Sequence, residues 1–77
     1  MSRELATLGA VIRQERKQRG LSQESFAALC ELSRAYVGEV ERGEANVSFS
    51  TLLALSKGLN ISLTEMTENY ERQAKQC

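Results

Sequence analysis

The chain has 77 residues, 42% of them hydrophobic, with ten basic side chains balanced by ten acidic ones and neither His nor Pro. That length supports one domain near the lower limit for a self-sufficient core; without a metal-ligand spacing, a phosphate loop or a nucleophile elbow, it argues against an enzyme, a metal site or a bound cofactor. No stretch approaches the ~18 apolar residues of a membrane span and the first residues lack a secretory layout, so a cytoplasmic protein with no membrane or small-molecule partner is expected.

The first helix is expected from about Leu5 to Arg19, packing through Leu8, Val11, Ile12 and the aliphatic carbons of Glu15, with Gly20 as its stop. Residues 1–19 hold five basic and two acidic side chains, Arg13, Arg16, Lys17 and Arg19 among them, whereas residues 20–45 hold two basic and five acidic. A net charge of zero counts against nucleic-acid binding. A basic run of this kind is usually a solvated helix face, although here it directly precedes the segment of most interest.

That segment, LSQESFAALCELSRAYVGEVERG over residues 21–43, reads as two short helices joined by a tight turn. Ser22 is the first N-cap, able to accept from backbone amides that otherwise lack partners, and Leu21 and Phe26 flank it at the spacing of a hydrophobic staple. Phe26, Ala27 and Cys30 share the inward face of this second helix. Glu31 and Leu32 make the turn. Ser33 caps a third helix from Arg34 to about Arg42, whose inward stripe is Val37 and Val40 with Tyr36. Gly43 lies just past its end, where a residue of positive φ is commonly needed. Cys30 is read as a buried structural thiol, and Cys77 as a loose, oxidisable one.

Glu44 to Val47 form a polar connector, and Ser48 or Ser50 opens a fourth helix with Leu52, Leu53, Leu55 and Phe49 as its apolar set; Lys57 and Gly58 close it. Leu59 and Ile61 tuck the following connector onto the core. Ser62 with Glu65 matches the S-x-x-E capping box and opens a fifth helix, which carries Leu63, Met66, Tyr70 and Ala74 as an apolar stripe. Residues 73–77 are expected to fray. The reading is therefore all-α: one five-helix domain over residues 1–77, with the two-helix unit at about 22–42 and the fifth helix at about 63–75.

With those elements in place, "IRQERKQRGLSQESFA" and "LSRAYVGEVERGEANVSFSTLLALSKGLNISLTEM" resemble the helix-turn-helix family of phage repressors and Cro proteins, over roughly Leu8 to Met66. Within that family, "SRAYVGEVERG" and the short length are similar to the controller proteins of restriction–modification systems. The resemblance implies a compact, lambda-repressor-like five-helix bundle. It also implies a homodimer that binds a near-palindromic site in double-stranded DNA and regulates transcription. An antitoxin-type or prophage repressor whose main partner is another protein is the alternative.

In such a complex the third helix enters the major groove and its first residues meet base edges. The expected base contacts are Arg34, Ala35, Gly38 and Glu39, with Arg34 suited to a bidentate bond with guanine and Gly38 permitting close approach. The expected phosphate contacts are Gln23 at the second helix's start, Ser33, Tyr36, Arg42, Asn46 and Ser48 around the third, and Arg16 and Lys17 on the first. Leu63, Met66 and Tyr70 are the expected dimer interface. One position departs from the family: the turn often carries Gly, and here Glu31 stands in the place that takes a left-handed conformation, at a cost of ~1 kcal/mol.

Overall fold

A computed structural model of the chain describes residues 2–76 and contains five helices: α1 (Arg3–Gln18), α2 (Gln23–Cys30), α3 (Arg34–Glu41), α4 (Phe49–Leu59) and α5 (Leu63–Lys75). No strand occurs among the described residues. The expectation for Cys77 lies outside them.

One local device opens every helix. Ser2, Ser22, Ser33, Ser48 and Ser62 are the five N-caps, all extended, and each hydroxyl accepts from the amide three residues on. A serine cap is typically worth ~1 kcal/mol over alanine. Ser48 rather than Ser50 opens α4. Ser2 was not anticipated, which is why α1 begins at Arg3 and not Leu5.

The helix ends are equally regular. Gly20, Glu31, Gly43 and Asn60 all have φ between 59° and 77°. After each, the next amide donates back to a carbonyl five residues earlier: Leu21 to Arg16, Leu32 to Ala27, Glu44 to Glu39 and Ile61 to Ser56. This motif satisfies orphan carbonyls and directs the following side chain back onto the helix. Leu21, Leu32 and Ile61 accordingly pack against the core. Glu31 does adopt the left-handed conformation, with φ 60° and ψ 39°.

The core comprises Val11 and Ile12 from α1, Phe26, Ala27 and Cys30 from α2, Val37 and Val40 from α3, Ala45, Leu55 and Leu59, and Met66 from α5. Fully burying a side chain such as Phe26, Ile12 or Leu55 contributes about 1.5–3 kcal/mol. α1 packs on α3, α4 and α5, while α2 packs on α3 and α4. Gly9 lets α1 approach α3: a Cβ there would meet the carbonyl oxygens of Val40 and Glu41.

Three expectations for the core need correction. Gly58 does not close α4, which continues to Leu59 before Asn60 caps it. It is buried because Cys30 Sγ and the Phe26 ring occupy the space a side chain would need. Phe49 and Leu53 are exposed, at 65% and 43%. Ala74 is exposed as well, so the inward stripe of α5 stops short of its end.

Candidate nucleic-acid interface

α2 and α3 form a helix-turn-helix whose geometry follows from the two Ser caps and the left-handed Glu31 between them. Arg34, Ala35 and Glu39 are exposed on α3. The first turn of α3 also breaks a rule that three other helices obey. α1, α2 and α5 place Glu4, Glu24 and Glu65 in their first turns, where the helix dipole favours an acid. α3 has no acid there and puts Arg34 first. Arg3 likewise opens α1, though Glu4 follows it, and α4 also lacks an acid in its first turn.

Gly38 is buried, and its missing side chain faces neither open solvent nor a neighbouring helix backbone. A Cβ there would lie 3.1 Å from Arg42 Nη1 and 3.9 Å from Gln23 Oε1. Both side chains therefore frame the gap that Gly38 leaves at the centre of the surface.

Beneath that surface lies a polar network. Arg16 donates from Nε to Glu41 Oε2 at 2.6 Å and from Nη2 to Glu41 Oε1 at 3.0 Å, while its Nη1 donates to the Leu21 carbonyl at 2.7 Å. Gln23 Nε2 donates to the same Glu41 Oε1 at 3.0 Å. The Arg16 and Glu41 side chains are only 9% and 3% exposed. Each charge is thus desolvated but paired and hydrogen-bonded, the condition under which burial is tolerated.

This arrangement overturns one phosphate assignment. Arg16 is spent inside the protein, so it is not a free cation for DNA. Lys17 remains exposed on α1, bordering an open cavity of about 560 Å³ together with Arg13 and Glu41. Arg13, Gln23 and Arg42 border a second one of about 270 Å³. Arg42 is exposed and paired with Glu44 at 3.1 Å.

Ser33 and Ser48 are caps, yet both are exposed, as is Asn46. Tyr36 is half-buried, and its hydroxyl donates to the Asn46 carbonyl at 3.1 Å, which ties the α3–α4 connector to α3. The dimer assignment also needs revision. Met66 is 1% exposed and belongs to the core, so it is not a surface anchor. Leu63 and Tyr70 are half-buried.

Two features escaped sequence reasoning. Glu41 has no local signal, because its partner Arg16 is 25 residues away. Phe49 and Leu53, one turn apart on α4, are exposed and not inward. Among the described residues there is no cluster able to hold a metal ion and no helix long and apolar enough to cross a membrane.

Comparison with known proteins agrees with this geometry. The family model "Helix-turn-helix" matches residues 12–66. The control protein C.MunI of a Mycoplasma species is 41% identical over 66 residues, which cover 84% of this chain and 89% of that one. The restriction–modification controller protein C.AhdI from Aeromonas hydrophila superposes with a TM-score of 0.81 at 43% identity, covering 84% of this chain and 98% of that one. The controller protein C.Esp1396I, solved as a tetramer in complex with its natural 35 base-pair operator, superposes at 0.90 with 29% identity, covering 95% and 96%.

Proposed function

Because the chain belongs to the helix-turn-helix family, with restriction–modification controller proteins among its relatives, we propose that it is a sequence-specific transcription regulator. It binds near-palindromic operators in double-stranded DNA as a homodimer and controls a restriction–modification system. The observation that carries this reading is the exposed set Arg34, Ala35 and Glu39 on α3, with Arg34 at the helix start.

In the groove, Arg34 bonds guanine O6 and N7, Ala35 touches a thymine methyl and Glu39 accepts from cytosine N4. Ser33, Asn46, Ser48, Arg42 and Lys17 surround these residues and hold the phosphates. Tyr36 acts through the connector it anchors. Two copies must present their α3 helices one turn of DNA apart, about 34 Å. The exposed pair Phe49 and Leu53 supplies the apolar centre of the dimer face, with Leu63 and Tyr70 on α5 contributing at its edge.

Selection of binding sites from random duplex DNA tests the reading. The wild-type protein is expected to enrich a near-palindromic sequence, and Arg34→Ala to lose ~1–3 kcal/mol of discrimination at one base pair per half-site. An Arg34→Ala protein with the wild-type base profile refutes the readout assignment. No enrichment by the wild-type protein refutes DNA reading itself.

A further inference from the structure

We propose that Glu39 makes binding depend on the methylation state of the operator. The hydrogen that Glu39 takes from cytosine N4 is the one that methylation of that nitrogen removes, so a methyl group there switches the contact off. This inference rests on the DNA-binding reading above and adds a chemical condition on the DNA.

The fold treats the two acids of α3 in opposite ways. Glu41 is buried and accepts from Arg16 and Gln23. Glu39 is exposed, and its carboxylate has no hydrogen-bond or ion-pair partner among the described residues. Arg42 stands three residues on, at a spacing where helix side chains can pair, yet it bonds Glu44 instead. Ala35 lies one turn before Glu39 and is exposed with it. In the major groove such an unneutralised carboxylate faces two phosphate backbones. Like charges brought together this way oppose binding, unless the DNA supplies a donor.

Few groups on DNA can do so. A carboxylate only accepts hydrogen bonds, and phosphate and deoxyribose oxygens within a strand are acceptors as well. The donors of the major groove are base amino groups, and a Glu side chain is matched to N4 of cytosine. That amino group has two hydrogens. One lies inside the Watson–Crick pair and the other points into the groove. A single methyl on N4 must therefore take the groove position if the pair is kept. The base still pairs, but the donor is gone and a methyl stands against the carboxylate. Glu39 then loses its partner without regaining its water, the costly way to break a hydrogen bond. A methyl at C5 of the same cytosine leaves the N4 hydrogen in place. Glu39 thus responds to where the methyl sits and not only to its bulk.

Equilibrium titrations of a selected operator test this on the wild-type protein and on Glu39→Ala. Each cytosine of one half-site is replaced in turn by N4-methylcytosine or by 5-methylcytosine. Glu39 is exposed and unpartnered, so the variant should fold, and its far-UV circular dichroism melt checks that it does. One cytosine is expected where N4-methylation weakens wild-type binding ~10-fold or more, the worth of one hydrogen bond to a charged group. At the same cytosine 5-methylation should cost clearly less, and Glu39→Ala should show no penalty for the N4-methyl. Comparing the two proteins on one duplex cancels any effect of the methyl on the DNA itself. The absence of any cytosine with a Glu39-dependent penalty overturns the proposal. An equal penalty from 5-methylcytosine overturns it too, because a clash and not a lost donor would then be at work. Both results leave the wild-type preference for the unmodified operator over random duplex intact, whereas loss of that preference is failure of the DNA-binding reading itself.

Discussion

Substituting Gly58 with Ala separates two explanations of a mid-helix glycine, because they predict opposite signs. On an exposed helix, Gly→Ala stabilises by ~1 kcal/mol through helix propensity. At position 58 the new Cβ would collide with Cys30 Sγ and lie 3.0 Å from Phe26 Cε1. Neither neighbour is free to retreat, since Cys30 is 4% exposed and Phe26 is 0% exposed. Overpacking of this kind costs about 1–3 kcal/mol, which exceeds the propensity gain over most of its range. The expected net loss is up to ~2 kcal/mol, or up to roughly 16 °C in Tm for a domain of this size. Thermal unfolding followed by far-UV circular dichroism measures it. Cys30→Ala removes the sulfur that the new methyl would strike. In the Gly58→Ala, Cys30→Ala protein the two losses should therefore fall short of additive, by at least ~0.5 kcal/mol. A raised Tm for Gly58→Ala, or strict additivity in the double variant, would refute the close-packing account of α2 against α4.

Other substitutions probe other parts of the molecule. Glu41→Ala should cost about 3–5 kcal/mol by leaving Arg16 charged, buried and unpaired, whereas Arg16→Met, Glu41→Met should recover most of it; urea unfolding of both proteins decides. Phe49→Asp should shift sedimentation toward monomer with the fold retained, and an unaltered dimer would move the interface off α4. Burial pushes the Cys30 thiol up to about 11, against a smaller opposing effect of a backbone hydrogen bond with Gly58. In a Cys77→Ser background, maleimide labelling at pH 8 should thus be slow until denaturant is added, because the thiolate is the reactive form. The same shift sets a sign for stability. The unfolded thiol ionises from about pH 9 and the folded one only near 11, so this group's contribution is intact below pH 9 and lost as pH rises through 11.

How far the sequence could be read follows from the range of each interaction. Serine caps and left-handed stops act over three to five residues, so Ser22, Ser33 and Ser62 could be placed from local pattern alone. The left-handed Glu31 is legible only through the family resemblance, which puts a residue that is often Gly at that place in the turn. α4 was harder. Phe49, Leu52, Leu53, Leu55 and Leu59 cover more than one side of a helix, and periodicity does not say which side meets the core. The tertiary answer buries Leu55 and Leu59 and leaves Phe49 and Leu53 outside. Gly58 was misread for a related reason, since a glycine near a helix end looks like a stop until Cys30 and Phe26 are known to press on it. The Arg16–Glu41 pair was beyond any local pattern, and missing it made a buried residue look like a phosphate ligand.

That last correction changes the electrostatic account of binding. In the sequence, α1 offers Arg13, Arg16, Lys17 and Arg19 as one basic stripe, an apparent compensation for zero net charge. In the fold, Arg16 is neutralised by Glu41, and Arg19 is bonded to Glu15 and to the Leu59 carbonyl. Arg13, Lys17 and Arg42 are the cations left bordering the cavities beside the α2–α3 unit. If each meets one phosphate, a dimer neutralises about six, and the logarithm of the binding constant should fall against the logarithm of salt concentration with a slope near −5. Engagement of the whole stripe together with Arg42 would give ten phosphates and a slope near −9. Anisotropy titrations of an operator between about 50 and 300 mM salt, a roughly sixfold range over which the screening length falls by somewhat more than half, distinguish the two. The shallow slope means that little of the affinity is sequence-independent attraction and that base contacts must supply more of it. A slope near −9 would mean that both the Arg16–Glu41 and the Arg19–Glu15 pairs open on DNA, and would defeat the account of Arg16 as spent inside the protein.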